Sequence, residues 1–311
     1  MNQILSAPSE MADVRQVTNR CPACENAEIV ESGFSVQGRF PLFHCRLCGL
    51  GSLRIFEEQE TGFDEYWSDV NQNIYSEPAV IEELQNKYKR YFQKVIDKVP
   101  NKRFLDVGSG AGASIGTAAG MGIDVTGLEP SSKAIALSRR MYDLPVIQGL
   151  LSADDNLPRD YGSLALWDVI EHVEDPESLV RACREHLVPG GILLLETPDE
   201  GAFLRSILRF IGRLNIPGME LRSSIYYRAH RFYFTRQAMT HILRRSGFTQ
   251  IQFYAERTMY QKELRKKMLY DQLSPVKIVA LKFVFAILKY FPFLSNKMVV
   301  TAVRAPNPIV G

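Results

Sequence analysis

The sequence lacks the features that mark membrane-spanning, secreted and strongly nucleic-acid-binding proteins. No run reaches the roughly 18 uncharged apolar residues of a membrane span, and residues 1–16 contain no apolar stretch of about 7–15 residues such as a secretory signal has. The net charge is only +2 over 311 residues, so overall charge does not indicate a nucleic-acid partner. Five cysteines are few for a disulfide framework in a chain of this size and favour a reducing compartment. We therefore expect a cytoplasmic protein.

Four of the cysteines form two pairs, Cys21 with Cys24 and Cys45 with Cys48, in a C-x2-C…C-x2-C pattern. Each pair can present two thiolates from a tight turn, and two such turns complete a tetrahedral zinc site. Gly49 suits a knuckle turn, which needs a positive φ. Four thiolates leave no open position for chemistry, so we expect a structural Zn²⁺. Redox-active pairs are the alternative.

Composition and periodicity predict an α/β protein with additions at both ends. Strands and helices alternate from residue 102 onward, and the continuous apolar strands indicate a parallel sheet covered on both faces. Ligands of such a doubly wound sheet bind at the carboxyl ends of its strands. The predicted regions are a disordered tail (1–18), a zinc ribbon (19–53), a helical linker or lid (54–100), the α/β core (101–256, with an acceptor-side insertion at 200–230) and a C-terminal apolar helix with a last strand (257–311).

Capping residues and apolar runs predict the elements of the core. Ser131 as an N-cap predicts a helix over 131–142, and Asp175 followed by Pro176 predicts a helix that ends at 187. The turn at 189–191, Pro-Gly-Gly, should separate that helix from the next strand. The apolar runs predict strands at 103–107, 123–128, 146–147, 163–169, 192–196 and 297–304.

A glycine-rich loop, Asp106-Val-Gly108-Ser109-Gly110-Ala-Gly112, follows the first of these strands and opens a helix. Its glycines permit a tight turn and let a ligand approach the backbone closely. Glu129 ends the next strand, where its carboxylate could accept both hydroxyls of a ribose. The loop also matches the Gly-x-Gly-x-x-Gly/Ala pattern of dinucleotide-binding proteins, with Gly108, Gly110 and Ala113 at its three fixed positions. It therefore predicts a nucleoside-bearing cofactor without choosing between candidates.

Three further features distinguish between those cofactors. Asp106 would repel a pyrophosphate but suits the ammonium group of an amino acid. Two motifs follow, Trp167-Asp-Val-Ile-Glu-His-Val-Glu-Asp-Pro176 and Leu187-Val-Pro-Gly-Gly191. Together these motifs, spread over 105–198, resemble those of class I S-adenosylmethionine-dependent methyltransferases. The stretch from His230 to Phe248 resembles the end of a bacterial subgroup that often modifies sugars, lipids or small metabolites.

The resemblance implies a Rossmann-like, seven-stranded methyltransferase sheet behind the zinc ribbon, and S-adenosyl-L-methionine as cofactor. The residues that it implies for cofactor binding are Asp106, Gly108, Ser109, Gly110 and Gly112 at the methionine moiety, Glu129 and Pro130 at the ribose, and Asp168 where the fourth strand opens onto the cofactor. The chain departs from the family pattern at 149–151, where Gly-Leu-Leu replaces an acidic residue near the adenine. It departs again at Gly162, where the subgroup usually has Asp.

Two histidines are candidates for the base that a hydroxyl acceptor requires. His172 follows the fourth strand at the ligand edge of the sheet, and the resemblance places His230 over the acceptor pocket. Each could instead make a structural hydrogen bond near the cleft. Glu171 could orient His172 or bind a metal.

Two features bear on the acceptor. Six arginines lie in a stretch with one acidic residue, which indicates either an anionic acceptor or a solvated helical face: Arg205, Arg209, Arg213, Arg222, Arg228 and Arg231. Residues 276–294 are apolar with three lysines. They predict either a peripheral membrane or lipid contact or a helix packed on the core.

The function predicted from the sequence is O-methylation of a small-molecule, glycan, sugar or lipid-linked acceptor. An RNA methyltransferase with a zinc ribbon is one alternative, although the Asp-Val-Ile-Glu-His motif lacks the Asn/Asp-Pro-Pro-aromatic clamp for a flipped base. A nicotinamide dehydrogenase and a non-catalytic zinc-containing scaffold are the others.

Overall fold

The structure is a computed structural model that describes residues 20–36, 40–53, 63–203, 205, 206, 226, 227, 229–258, 262, 279 and 295–306. The predicted tail at 1–18, most of the insertion at 200–230 and the apolar segment 276–294 apart from Val279 lie outside these residues. Among the helices described, none is long and apolar enough to cross a membrane.

Seven helices and eleven strands are described. The helices are α1 (Phe63–Tyr66), α2 (Asp69–Ser76), α3 (Pro78–Val95), α4 (Ala113–Ala119), α5 (Ser132–Tyr142), α6 (Pro176–His186) and α7 (Arg236–Arg245). The strands are β1 (Ile29–Val36), β2 (Phe40–Cys45), β3 (Gly51–Leu53), β4 (Arg103–Val107), β5 (Asp124–Glu129), β6 (Val146–Gln148), β7 (Tyr161–Trp167), β8 (Leu187–Pro198), β9 (Phe232–Tyr233), β10 (Phe248–Glu256) and β11 (Lys297–Arg304).

The larger sheet has seven strands in the order β10-β11-β8-β7-β4-β5-β6. The pairs among β8, β7, β4, β5 and β6 are parallel, while β11 runs antiparallel to both β8 and β10. The predicted Rossmann-like seven-stranded sheet is confirmed, with the correction that it is mixed. One reversed strand near an edge is common in otherwise parallel sheets.

The predicted helix caps agree with the structure. The Ser131 side chain accepts a hydrogen bond from the Ala134 amide at the start of α5. The Asp175 side chain caps α6 in the same way, with Pro176 in its first turn. Both caps satisfy amides that have no partner inside the helix.

Several predicted strand boundaries differ from the observed ones, and two of the differences follow from the backbone conformation. β7 ends at Trp167 and not at 169, because Asp168 has a φ of +56° and leaves the extended conformation. β8 begins at Leu187 and not at 192. Leu187 already pairs with Tyr161, and the pairing is irregular until Ile192 because Gly190 adopts a φ of +77°. The Pro-Gly-Gly turn is therefore a bulge inside a strand.

The glycine at position 162, where the family subgroup usually has aspartate, has a steric explanation. It lies in β7 beside the Asn101 backbone, where a Cβ atom would stand 2.0 Å from the Asn101 carbonyl oxygen. An aspartate could not fit there without moving that backbone.

The smaller sheet has four strands in the order β1-β2-β3-β9, all antiparallel. The first three come from the predicted zinc ribbon, and β9 follows His230 in the chain. Both faces of the large sheet carry buried apolar clusters. One contains α3 and α4 residues, and the other contains α6 and α7 residues together with three ribbon cysteines.

Candidate active site

Asp106 lies near the end of β4 and is 1% exposed. Neither of its oxygens has a hydrogen-bond partner of normal geometry. Burial raises the pKa of Asp106 to about 8, an effect that the nearby Ser114 hydroxyl only partly offsets. A buried carboxylate without a partner is costly, which makes it a place for a cationic ligand group.

Three glycines in the loop after Asp106 adopt left-handed backbone conformations. Gly108, Gly110 and Gly112 have φ values of +72°, +53° and +85°. A Cβ atom on Gly112 would stand 2.2 Å from the Ser138 hydroxyl oxygen. The amides of Gly108 and Ser109 both donate to the carbonyl oxygen that precedes Glu129 in β5, at 2.8 and 3.2 Å. Sterics and hydrogen bonds therefore fix the loop against the sheet.

Glu129 ends β5 beside this loop, as the sequence predicts. Its Oε2 accepts the Gly110 amide at 2.9 Å and its Oε1 accepts the Ser131 amide at 3.0 Å. Burial raises its pKa even though the two amides lower it. Each carboxylate oxygen keeps a second lone pair, so the group can still accept hydroxyl donors. Pro130 follows it, and the Pro130 carbonyl accepts the Gln148 side chain at 3.2 Å.

The first helices of the linker cover this part of the sheet, which the sequence does not reveal. Asp64 accepts hydrogen bonds from the hydroxyls of Ser131 and Ser132 at 2.6 and 2.8 Å. Trp67 is buried among Ala111 and residues of α5. The contacts join α1 to the start of α5, next to Glu129.

A chain of charged side chains runs from the buried Lys87 and Glu196 to the partly exposed Asp168. The Lys297 ammonium lies 2.6 and 2.5 Å from the two Asp168 oxygens and 3.3 Å from Glu196 Oε1. Lys87 donates to the other Glu196 oxygen at 2.5 Å. Sequence reasoning missed the two lysines and Glu196. The only signal was a glutamate in the otherwise apolar strand β8.

This charge chain sets the ionisation of Asp168. Burial acts to raise its pKa, but the ammonium of Lys297 and then those of Lys87 and Lys262 outweigh burial, so the pKa lies well below its ordinary value. Burial would lower the pKa of Lys297, but Asp168 and Glu196 raise it. Both groups are therefore charged at neutral pH.

The structure brings the two candidate histidines together. The rings of His172 and His230 are 4.7 Å apart between centroids and nearly perpendicular. His172 Nδ1 lies 2.9 Å from the Ala229 carbonyl oxygen. A carbonyl only accepts, so Nδ1 carries the proton and Nε2 is the free acceptor of the neutral ring.

Glu171 lies close to these two histidines and has no exposed surface, and neither of its carboxylate oxygens has a partner of normal geometry. Burial and then the Asp168 charge raise its pKa to about 8. Its ligand atoms and those of His172 and His230 all lie within 4.8 Å of one another. This spacing fits the predicted metal-binding role of Glu171. Its predicted role in orienting His172 would need a hydrogen bond, and no bond of normal geometry joins the two side chains.

Desolvation by the surrounding protein lowers the pKa of both histidines. For His230, the neighbouring His172 adds to the shift. Both rings are therefore neutral at pH 7 and able to accept a proton.

The four paired cysteines form one cluster. Cys21 Sγ lies 3.5 Å from Cys48 Sγ, and Cys24 Sγ lies 3.5 Å from Cys45 Sγ. All four sulfurs are within 4.8 Å of one another and none is in a disulfide. A tetrahedral zinc with Zn–S bonds of about 2.3 Å places its sulfurs about 3.8 Å apart, so the donor set fits that ion. A hydrogen bond from Cys48 lowers the pKa of Cys21.

Two of the six arginines predicted to face an anionic acceptor are described, and both are paired within the chain. Arg205 is 7% exposed and its Nε lies 3.0 Å from Glu200 Oε2. Arg231 Nη2 lies 3.0 Å from Glu174 Oε1. The other four lie outside the described residues, so an anionic acceptor stays a prediction.

Known proteins share parts of this sequence and its fold. A family model described as a methyltransferase domain matches residues 79–252, which excludes the cysteine cluster. A ubiquinone biosynthesis O-methyltransferase of Thiobacillus denitrificans is 35% identical over 107 residues, which are 32% of this chain and 46% of that protein. One of Chromobacterium violaceum is 30% identical over 111 residues, 33% of this chain and 47% of that protein. The chain spans about half the length of these curated relatives.

Solved structures with low sequence identity share the fold. Magnesium protoporphyrin IX methyltransferase of Synechocystis PCC 6803 has a TM-score of 0.52 at 16% identity, covering 78% of this chain and 96% of its own. Phosphoethanolamine N-methyltransferase 2 of Haemonchus contortus has a TM-score of 0.52 at 17% identity. The match covers 79% of this chain and 59% of that protein.

Proposed function

We propose, from the premise that this chain belongs to the methyltransferase-domain family, that it transfers the methyl group of S-adenosyl-L-methionine to a hydroxyl oxygen of a small molecule. The observation that carries the proposal is the buried Asp106 carboxylate, which has no partner of normal geometry and stands in front of the glycine loop. An amino-acid ammonium would favour the ionised form of this buried carboxyl and pair with it, whereas a pyrophosphate would gain no such pairing. The names of the O-methyltransferase relatives support oxygen as the atom methylated.

The cofactor half of the proposed site is formed by β4, β5 and the loop between β4 and α4. When bound, the cofactor supplies an electrophilic methyl group on a sulfonium. Asp106 would pair with its ammonium group, and the backbone from Gly108 to Gly112, including Ser109, would hold the methionine moiety. Glu129, with Pro130 beside it, would accept the ribose hydroxyls. Leu150 is 65% exposed after β6, which supports apolar contact with the adenine.

The acceptor half is assigned to the ends of β7 and β8 and the turn before β9. His172 Nε2 would accept the hydroxyl proton, because Nδ1–H is bonded to the Ala229 carbonyl and the low pKa keeps the ring neutral. His230 packs against this ring and is the second candidate base. Asp168, held by Lys297, would border the cofactor without taking up the proton, since its pKa is too low.

A structural zinc at Cys21, Cys24, Cys45 and Cys48 is part of the proposal, supported by the convergence of the four sulfurs. The glycan, lipid-linked and anionic classes of acceptor remain predictions from the sequence. So does peripheral membrane contact through 276–294, which vesicle flotation would test.

Titration calorimetry tests the cofactor assignment. The wild-type chain should bind S-adenosyl-L-methionine and not NAD. Asp106→Asn should weaken binding about tenfold to a hundredfold, because it removes the carboxylate that pairs with the ammonium. Asp143→Asn is the matched control, since Asp143 is an exposed left-handed residue and asparagine tolerates that conformation. Binding of NAD with no binding of S-adenosyl-L-methionine would overturn the proposal.

Screening identifies the acceptor. Cell extracts that contain both small molecules and RNA, incubated with methyl-labelled cofactor and the chain, should yield a labelled small molecule that mass spectrometry can identify. Label recovered only in RNA would favour the RNA methyltransferase alternative.

A further inference from the structure

The predicted zinc ribbon shares its sheet with the segment that carries His230. β9 pairs with β3 through Gly51 with Tyr233 and Ser52 with Phe232. β9 is therefore the fourth strand of the ribbon's own sheet, and His230 stands two residues before it.

The same segment is bound on its other side by the core. The amides of Arg231 and Phe232 both donate to the Glu171 carbonyl oxygen, at 2.8 and 3.2 Å. The Glu200 amide donates to the Phe234 carbonyl at 2.9 Å. The residues after His230 are thus held between the ribbon and the turn that carries Glu171 and its neighbour His172.

The second cysteine knuckle contacts this segment directly. The Thr235 hydroxyl donates to the Cys48 carbonyl oxygen at 2.5 Å, across 187 positions of sequence. Gly49, with a φ of +71°, packs against the Thr235 methyl group, where an added Cβ would lie at 3.1 Å. The hydroxyl oxygen of Thr235 also caps α7 by accepting the Ala238 amide at 3.0 Å. The turn that would hold the metal therefore rests on the residue two positions after β9.

A buried glutamate gives a second connection. Glu200 is 1% exposed and lies two residues after the end of β8. Its carboxylate meets the β2 residue His44 at 3.4 Å, the Tyr226 hydroxyl at 2.8 Å and Arg205 Nε at 3.0 Å. Ribbon, core and acceptor-side segment thus meet at one carboxylate.

The cofactor half of the site has different neighbours. The glycine loop is bonded to β5, and Ser131 next to Glu129 is bonded to Asp64 of α1. The ribbon contacts given above all lie on the side of the histidines.

We infer that the zinc ribbon is a positioning part of the acceptor half of the active site. Metal at the four cysteines fixes β3 and the Cys48 knuckle, these fix β9 and Thr235, and β9 places His230 against His172. The inference rests on the proposed function, in which these histidines handle the acceptor proton.

Hydrogen exchange measured by mass spectrometry tests the inference on the full chain, loaded with zinc or stripped of it by a chelator under reducing conditions. Without zinc, the amides of 229–235 should exchange about tenfold faster because they lose the ribbon as a partner. Residues 104–112 should keep their protection, and the affinity for S-adenosyl-L-methionine should change by less than about twofold. Faster exchange confined to 20–53 would overturn the inference.

A variant at the contact keeps the test decisive if zinc removal unfolds the chain. Thr235→Asp retains an N-cap acceptor for α7 but cannot donate to the Cys48 carbonyl, whereas Thr235→Ser retains both bonds. The aspartate variant should show faster exchange at 229–235, and the serine variant should match wild type. Weaker zinc retention in the aspartate variant would also support the coupling, because linkage acts in both directions. Wild-type exchange at 229–235 and wild-type zinc retention in Thr235→Asp would overturn it.

Histidine titration separates positioning from mere stabilisation. Nuclear magnetic resonance of ¹³C-labelled histidine should show the His230 pKa rising toward its ordinary value in Thr235→Asp, because burial and the nearby His172 lower it in the wild type. An unchanged His230 titration beside faster exchange would contradict the placement of this ring by the ribbon.

The two proposals fail separately. A wild-type chain that does not bind S-adenosyl-L-methionine would overturn the proposed function whatever the exchange pattern. This inference alone would be overturned if the chain binds S-adenosyl-L-methionine normally but the amide exchange of residues 229–235 is the same with and without zinc.

Discussion

The ammonium group of Lys297 contacts both carboxylate oxygens of Asp168, at 2.6 and 2.5 Å. Lys297 is the first residue of β11, and Asp168 is the left-handed residue that follows β7. β8 lies between these two strands, and its Glu196 also contacts Lys297 at 3.3 Å. The pair therefore ties the reversed strand β11 to the carboxyl end of β7.

Removing Lys297 should destabilise the fold. Lys297→Met should lower the free energy of unfolding by about 2–3 kcal/mol, because it leaves two carboxylates short of a partner at largely buried positions. Adding Asp168→Asn should recover about 1–2 kcal/mol of that loss. Urea denaturation of the wild type, the two single variants and the double variant measures the coupling free energy between the two side chains. Lys98→Met is the control, since Lys98 is exposed on the surface and should change stability by less than about 0.5 kcal/mol. Strict additivity of the two substitutions would contradict the pairing.

Asp106 should make the ligand-free protein less stable as the pH rises. Its pKa is raised to about 8 in the folded chain but is about 3.9 when unfolded. Between these values the folded state binds more protons, so stability falls from about pH 4 and levels off above about pH 8. Asp106→Asn should therefore gain stability relative to wild type between pH 5.5 and 7.5, as urea midpoints at both values would show. Parallel curves for the two chains would contradict a raised pKa.

The same raised pKa predicts proton release on cofactor binding. At pH 7 a carboxyl with a pKa of about 8 is mostly protonated, and pairing with an ammonium group favours its charged form. Binding of S-adenosyl-L-methionine at pH 7 should thus release about one proton. Calorimetry in two buffers of different ionisation enthalpy measures this number directly. Asp106→Asn should release none at this position, and equal release from both chains would refute the assignment.

The sequence predicts the parts of the site that are local in the chain. Asp106, the glycine loop and Glu129 lie at strand ends whose positions follow from apolar runs and turn residues. Ser131 and Asp175 were identifiable because capping depends on neighbours within three residues. Such features need no knowledge of the strand order.

The contacts missed from sequence are those that the strand order creates. Lys87 meets Glu196 across 109 positions, and Lys297 meets Asp168 across 129. The Lys297 contact depends on β11 entering the sheet between β8 and β10, and the Lys87 contact depends on α3 packing against β8. Periodicity reveals neither arrangement. The joining of β9 to the ribbon was missed for the same reason, because a strand of two residues has no detectable pattern.

Metal analysis should find one zinc per chain in protein purified under reducing conditions. Cys48→Ser should lose the metal, since zinc needs all four thiolates to close a tetrahedral site. Cys183→Ser is the matched control, because Cys183 is a buried cysteine that is not one of the four whose sulfurs converge. It should keep the zinc, even if it loses some stability. Zinc-free wild-type protein would contradict the ribbon.

His172→Gln should lower turnover about a hundredfold to ten-thousandfold, since a positioned base contributes that much to proton transfer. Cofactor affinity should change little, because Asp106 and Glu129 lie on other strands.

In the wild type the activity should fall only as the pH drops below the ordinary histidine value, because the pKa of His172 is lowered and the base must be neutral. That acidic limb should disappear in His172→Gln. The measurement is the pH profile of methyl transfer to the acceptor found by screening. His241→Gln, at a partly exposed histidine of α7, is the control, and unchanged turnover in His172→Gln would transfer the role of base to His230.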